Sequence, residues 1–432
     1  MAAQRFAFRL TRLACLTAVA VLYAAPALSG TDASLDALDL ADNTEFSDVK
    51  DKTLNVMAEA ASAINENSGN VQRVSLDMRW DTPLMGRLSQ DWRLVLSNRI
   101  DSRFYRGLSR NRNVNSLREA YLTYRLTPRT LIDAGRVNTR YGVALGYNPT
   151  DFLGRGTVRS VISADPETLR TNRLGNAMVR LQQFWDKAAL TAIVSPKLAG
   201  QPSDDSASLD WGASNPRDRL LLVGSYRFAE NLNPQLLYFQ ESHRSPQIGL
   251  NLARVLSRST LAYLEWAGGR QPFAWQTSLP ESQWDVAWRN RASAGITWTG
   301  ENRLTLRLEG HYDGSADNER AMSAFSTASR YGLVQGGASY GNSARQALDL
   351  MSPRRSALVQ AYWKDVVDQY DLNIIVQRDL QRQKNLGFAE LRRHIGPVDV
   401  ALQWQKIYRM DAETTYQIRP DRRWQISVSY YF

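Results

Sequence analysis

The side chains in this 432-residue sequence that could do chemistry are three histidines, one cysteine and an arginine-rich set of charges, and their spacing argues against catalysis. His243, His311 and His394 stand far apart, without the short intervals that a zinc site uses. Glu241-Ser242-His243 is the one local group with the composition of a nucleophile and its base. Neighbours in an extended strand point to opposite faces, so these three do not converge as a hydrolase requires. Cys15 is the sole thiol and sits in an apolar stretch near the start. Once that stretch is removed, the chain has no disulfide, thiolate nucleophile or thiolate metal ligand. No phosphate-binding loop or dinucleotide fingerprint occurs. The sequence predicts neither an enzyme nor a cofactor or metal.

What remains is charge on polar faces. Arg93, Arg125, Arg180, Arg303 and Arg307, together with Arg99 and Arg227, fall on the polar side of alternating segments, as do Glu119, Glu265, Glu309 and Asp399. In an aqueous passage, rings of arginine favour anions. Pairing of the same arginines with the carboxylates across neighbouring strands is the other reading. The richest stretch is Gly135-Arg136-Val137-Asn138-Thr139-Arg140-Tyr141-Gly142, followed by Tyr147-Asn148-Pro149-Thr150-Asp151-Phe152-Leu153. Asn148 to Asp151 is turn and cap chemistry. The connection also carries Arg155, Arg159, Arg170 and Arg173 against Asp151, Asp165 and Glu167. It reads either as a rigid outer loop braced by its own ion pairs, with Arg155 and Arg159 exposed, or as a loop folded inward as a constriction. Backbone at membrane depth is tolerated only where it lines water or protein. Asn148 and Asp151 therefore join the arginines, Glu119 and Glu309 as candidate lumen residues.

The elements that must position these residues alternate with period two. Leu304, Leu306 and Leu308 oppose Arg303, Thr305, Arg307 and Glu309; Val398, Val400, Leu402 and Trp404 oppose Asp399, Gln403 and Gln405. From Val71 onward such units recur about every ten residues, the length of a tilted transmembrane strand. Short links (Leu126–Thr130, Trp185–Ala188, Thr299–Asn302, His394–Pro397) take turns with long ones (Arg140–Leu174, Leu198–Arg217, Gly268–Asn290, Tyr312–Pro353). Outer-membrane barrels combine short periplasmic turns with long outer loops. Counting back from Phe432 to a first strand near Asp91–Asp101 predicts about sixteen strands. Eighteen is the alternative, with Val71–Trp80 as an extra strand or another hidden in residues 409–422.

The front of the chain differs. Residues 1–29 read as an export signal, with Arg5, Arg9 and Arg12 ahead of an apolar run from Leu13 to Tyr23 and small residues at Ala25-Pro26-Ala27. Residues 30–70 form an acidic leader with nine acids against Lys50 and Lys52, and residues 71–432 hold 48 basic against 34 acidic residues. A segment of −7 thus precedes a body of +14. Residues 51–66 are expected to be helical, with Leu54, Met57, Ala61 and Ile64 along one stripe. The leader is either a solvated periplasmic arm or a plug for the basic lumen. The high pI lacks the aromatic-and-basic module of a nucleic-acid binder, so no nucleic-acid partner is expected.

The last strand carries the sharpest signal. Trp424, Ile426, Val428, Tyr430 and Phe432 alternate with Gln425, Ser427, Ser429 and Tyr431, and the chain stops on the aromatic. This resembles the terminal strand of bacterial outer-membrane β-barrels, which in that family is read by the barrel-assembly machinery. The Gly-Arg strand end followed by Asn-Pro-Thr-Asp resembles a segment of a proteobacterial barrel family, a likeness that implies a barrel but no activity. The expectation is an all-β, transmembrane antiparallel barrel over residues 71–432, integral to the outer membrane of a Gram-negative cell among its lipid and lipopolysaccharide. Its expected role is to pass a small solute, an anion where the arginines rather than the acids set the field. An export or uptake barrel coupled to an inner-membrane transporter, or a structural or adhesive barrel, are the alternatives.

Overall fold

The computed structural model describes residues 53–66, 69–84, 91–105, 112–203, 205–229, 231–274, 276, 281–316, 353–381, 385–411 and 417–432, with only the backbone course for 407–411 and 417–421. The export signal and the front of the acidic leader lie outside the described residues. Of the leader 31–70 read as a possible plug, residues 31–52 likewise lie outside the described residues, while Leu54–Asn65 is part of the wall.

Among the described residues, eighteen antiparallel strands close into one ring. The first six are β1 Leu54–Asn65, β2 Val71–Pro83, β3 Trp92–Tyr105, β4 Arg112–Thr127, β5 Thr130–Val137 and β6 Asn176–Phe184. Then follow β7 Ala188–Ser195, β8 Arg219–Tyr226, β9 Gln235–Glu241, β10 Gln247–Ser257, β11 Thr260–Gln271 and β12 Ala287–Thr299. The last six are β13 Leu304–Asp313, β14 Arg355–Val367, β15 Tyr370–Asp379, β16 Asn385–Ile395, β17 Val398–Asp411 and β18 Gln417–Tyr431. Each strand pairs with its sequence neighbours. The seam joins β1 to β18, from Met57 opposite Tyr431 to Asn65 opposite Arg423. Closure leaves no edge with unpaired backbone groups, which a lipid environment would not satisfy.

The count is therefore eighteen, not sixteen. Sixteen strands do lie between Asp91 and Phe432, and the two missing ones precede them. Val71–Pro83 is a full wall strand. The larger correction concerns residues 51–66, expected as a helix and part of the leader, because Leu54–Asn65 is strand β1. The apparent stripe at helical spacing misled because alanine fits either period. In the register with β2, Glu59, Ala61 and Ala63 share the row of Ser75, Arg73 and Val71, while Ala58 and Ala60 oppose Leu76 and Val74 on the other face. Two flanking strands with free hydrogen-bonding groups override the helix propensity of an alanine-rich segment. The described residues of 409–422 belong to β17 and β18, which stay paired from Val398–Tyr430 to Asp411–Gln417.

The burial pattern is inverted relative to a water-soluble protein. Outward-facing Val74, Leu308, Val359 and Ile426 are each more than two-fifths exposed, whereas inward Glu265, Ser293, Glu309 and Gln405 are almost wholly buried. Among the described residues no helix is long and apolar enough to cross a membrane. Both ends of the described chain lie at one rim, where Phe432 N–H bonds the Val56 carbonyl. The turns at Thr127–Thr130, Ser257–Thr260 and Ile395–Val398 lie at that same rim. The connections 138–175, 196–218 and 272–286 lie at the opposite rim, which the short-turn rule makes the outer one.

Candidate constriction site

The site begins where β5 ends early. β5 pairs with β4 only as far up as Ala120–Arg136, although β4 extends well past that point. Gly135 makes the close approach possible. Its φ is +135°, and a Cβ there would lie 2.3 Å from the Ala120 carbonyl oxygen. Beyond Val137 the chain leaves the wall, and loop 138–175 crosses the lumen.

Two apolar anchors hold it. Phe152 stacks on Phe239 with ring centroids 4.9 Å apart. With Leu153 it joins Met178, Ile193, Leu221, Val223 and Leu237 on the inward face of β6 to β9. Leu145 packs against Leu358, Ile375 and Phe388 on β14 to β16.

Between the anchors, the backbone of Gly142 to Tyr147 is held by side chains of β11, β12 and β13. Ala144 N–H donates to Glu265 at 2.6 Å, and Leu145 and Gly146 N–H donate to Glu309 at 2.6 and 2.8 Å. Ser293 hydroxyl donates to the Tyr147 carbonyl at 2.5 Å. Gly142 has φ +82°, and a Cβ there would strike the Glu265 carboxylate. Glu309 also accepts from Tyr263 hydroxyl at 2.5 Å and contacts His311 Nε2 at 2.8 Å, while His311 Nδ1 reaches Ser356 at 2.9 Å. Each bond from a backbone N–H to a carboxylate contributes about 1.5–3 kcal/mol.

The opposite wall grips the loop differently. Arg73 donates to the Ile162 carbonyl at 3.3 Å, Arg103 to the Val161 carbonyl at 3.1 Å and to Ser160, and Arg118 to Asn172 at 2.8 Å. On this wall the strands carry a dense charge network. Arg99 meets Glu59, Asp101 and Asp77, Arg73 meets Glu59, and Arg118 meets Asp77. The β3–β4 register shifts between Ser97 and Asn98, and Arg118, left without a partner in that register, sends its side chain inward beside Glu119.

The loop is also braced from within. Asp151 pairs with Arg173, whose Nε reaches Asn138 at 2.8 Å. Arg170 donates to the Gly142 and Ala144 carbonyls at 3.2 and 3.1 Å. A short helix, α1 Pro166–Thr171, is capped by Asp165, which accepts from Glu167 and Thr168 N–H. Burial outweighs those cap bonds and raises the Asp165 carboxyl above its ordinary range. The same desolvation pushes the Tyr141 hydroxyl up to about 12, so it stays neutral. A second loop, 196–218 with helix α2 Trp211–Ser214, fills the notch left in the wall. Ser206 carbonyl accepts from Asn115 N–H at 2.9 Å. Buried Arg136 donates to the carbonyls of Leu117 and Leu209 and to the Ser214 hydroxyl, and lies 4.1 Å from the Trp211 ring centroid.

The residues singled out from the sequence divide among several places. Arg93 makes two bonds to Asp81 at 2.6 and 2.7 Å, Arg180 pairs with Asp133 at 2.7 Å, and Glu119 with Arg79 at 2.5 Å. By register Arg125 shares the inward row of β4 with Thr123 and Tyr121. Arg307 donates to Thr297 at 3.2 Å. Arg303 is a correction: it sits in the β12–β13 turn with φ +61°, exposed and paired with Asp365, outside the lumen row. Glu309 and Asp151 hold the loop and do not face open water, and Asn148 touches Glu265 at 3.5 Å. Arg159, expected to be exposed, is buried against the Asp205 and Ser208 carbonyls. Trp424, Ile426, Val428, Tyr430 and Phe432 lie on the outward row of β18. Glu265, Tyr263 and Ser293 emerged as loop-holding residues only in the fold, because no local pattern distinguishes an inward residue that meets a loop from one that meets water.

No protein-family model matches the sequence, and no curated protein matches it. Solved structures match its shape. Pseudomonas aeruginosa OccK5 (OpdH) superposes with a TM-score of 0.51 at 10% identity, over 88% of this chain and 97% of that one. OccK3 (OpdO) and OccK11 (OpdR) of the same organism each give 0.50 at 10% identity, over 88% of this chain and 95% of theirs. Likeness at such identity establishes architecture. With its closed ring and apolar outer belt, the chain has the architecture of the bacterial outer-membrane barrels it resembles.

Proposed function

We propose that this barrel is a channel passing a small, anionic solute through a lumen narrowed by loop 138–175. The observation that carries the reading is the clamp of Glu265 and Glu309 on the backbone of Ala144 to Gly146. A structural or adhesive barrel has no use for a loop fixed across its interior at main-chain level. A channel needs such fixing to keep the narrowest section constant.

The sign of the solute rests on how the charges are satisfied. Glu265 and Glu309 are sheathed by N–H and hydroxyl donors. Arg103, Arg170, Arg291 and Arg307 face carbonyl, amide and hydroxyl oxygens, and among the described residues none has a carboxylate within 4 Å. Cations partnered by neutral groups keep their field, and low-dielectric walls focus it along the passage. Planar-bilayer recording tests both parts. We expect steady conductance and an anion-selective reversal potential in a KCl gradient, fading as salt shortens screening below roughly 10 Å. A barrel that inserts without conducting would overturn the channel, and cation preference would overturn the solute's sign.

A further inference from the structure

The outer rim is not uniform around the ring. On β11, β14 and β15 the outward row ends in arginines, with aromatic rings on the strands between and beside them. Arg270 is opposite Trp288, and Trp266 and Trp288 close over Gly268. Arg355 is opposite Tyr312, and Arg378 opposite Ala357, one step below it on the adjacent strand. Arg354 lies over the Tyr312 ring at 6.0 Å. Arg270, Arg355 and Arg378 are exposed, and among the described residues none of the four arginines has a carboxylate within 4 Å. On β6 to β10 the outer ends of the outward row present Ala177, Val194, Leu220, Gln240 and Ile248, with no charge.

We propose that Arg270, Arg354, Arg355 and Arg378 form a docking surface for the phosphates of an outer-leaflet lipid headgroup. Trp and Tyr settle at the boundary between hydrocarbon and headgroups, so Trp266, Trp288 and Tyr312 fix the height of the arginines beside them. That height is where a phosphorylated glycolipid carries its charge. Arg355 and Arg378 are diagonal neighbours, with Cα atoms roughly 7–8 Å apart. Holding two guanidinium groups so close without an acid is unfavourable until an anion lies between them. Phosphate meets this need better than carboxylate because its oxygens can accept from two forks at once. The surface is outside the lumen and requires only the membrane placement, so it stands or falls separately from the transport reading.

The test uses the purified full-length barrel in detergent, with lipid A carrying both phosphates as the probe and the same lipid after enzymatic dephosphorylation as its partner. Bound lipid is counted by native mass spectrometry. Wild type should retain the phosphorylated lipid at least about tenfold more tightly than the dephosphorylated one, and Arg355→Gln with Arg378→Gln should remove about that factor. Leu220→Gln on the uncharged rim should change nothing. Inorganic phosphate in large excess should leave the bound lipid in place. Equal retention of both lipids, an unaltered double variant, or release by inorganic phosphate would each overturn the proposal. The comparison of the two lipids on wild type needs no variant to fold.

Discussion

The two walls that meet loop 138–175 hold it by opposite chemistry. On β11 to β13, carboxylates and a hydroxyl reach the loop's backbone, and the acids have almost no surface left for water. On β1 to β4, acids are paired with arginines of the same wall, and the arginines reach the loop through carbonyl oxygens. A bond to a backbone N–H fixes the chain trace regardless of which side chain sits there. A long arginine bonded to a carbonyl can rearrange without moving the trace. The first wall therefore holds the trace of the loop, and the second holds it only through side chains free to rearrange.

The largest expected effect comes from breaking the fixing wall. Changing Glu265 and Glu309 together to Ala removes three bonds from backbone N–H to carboxylate, worth roughly 1.5–3 kcal/mol each. Single-channel conductance should rise several-fold with added noise, while heat-modifiable mobility shows that the ring still closes. A quiet, unchanged conductance would mean the apolar anchors alone hold the loop. Next in size is Leu145→Ser, which removes one anchor and costs about 2–3 kcal/mol of local burial. It should give intermediate noise without altering ion preference.

On the second wall, Arg103→Gln should shift the reversal potential toward neutrality in dilute salt and leave conductance noise at the wild-type level. If noise rises instead, this wall also fixes the trace and the division between the walls fails. The smallest and sharpest comparison pairs Arg307→Gln with Arg303→Gln. Only the first should move selectivity, because Arg303 lies in an exposed turn beside Asp365. Equal shifts from both would show that the rim, not the lumen row, governs ion preference.

Much of the architecture was legible in the sequence because a membrane barrel imposes one rule on every strand. The alternation in Leu304–Glu309, Val398–Gln405 and Arg423–Phe432 follows from lipid on one face and lumen on the other, and it gives strand identity, face and the sense of the long loops. The same rule failed for Leu54–Asn65, where alanines satisfy both periods and nothing local reveals that β18 and β2 lie waiting on either side. It failed for Arg303 by one residue, since a turn starts where pairing stops and pairing belongs to the partner strand.

Parity along a strand is written in the sequence and assigns most side chains to their face, Arg303 in its turn and Arg118 at the register shift excepted. What those inward residues touch was decided by the tertiary structure alone. Asn148 and Asp151 were recognisable as turn chemistry. The partners of their loop, Glu265 and Glu309, lie more than a hundred residues further along the chain. Parity assigns a carboxylate to the lumen, but only closure of the ring brings a loop backbone within 3 Å of it and turns a pore-lining charge into a buried clamp.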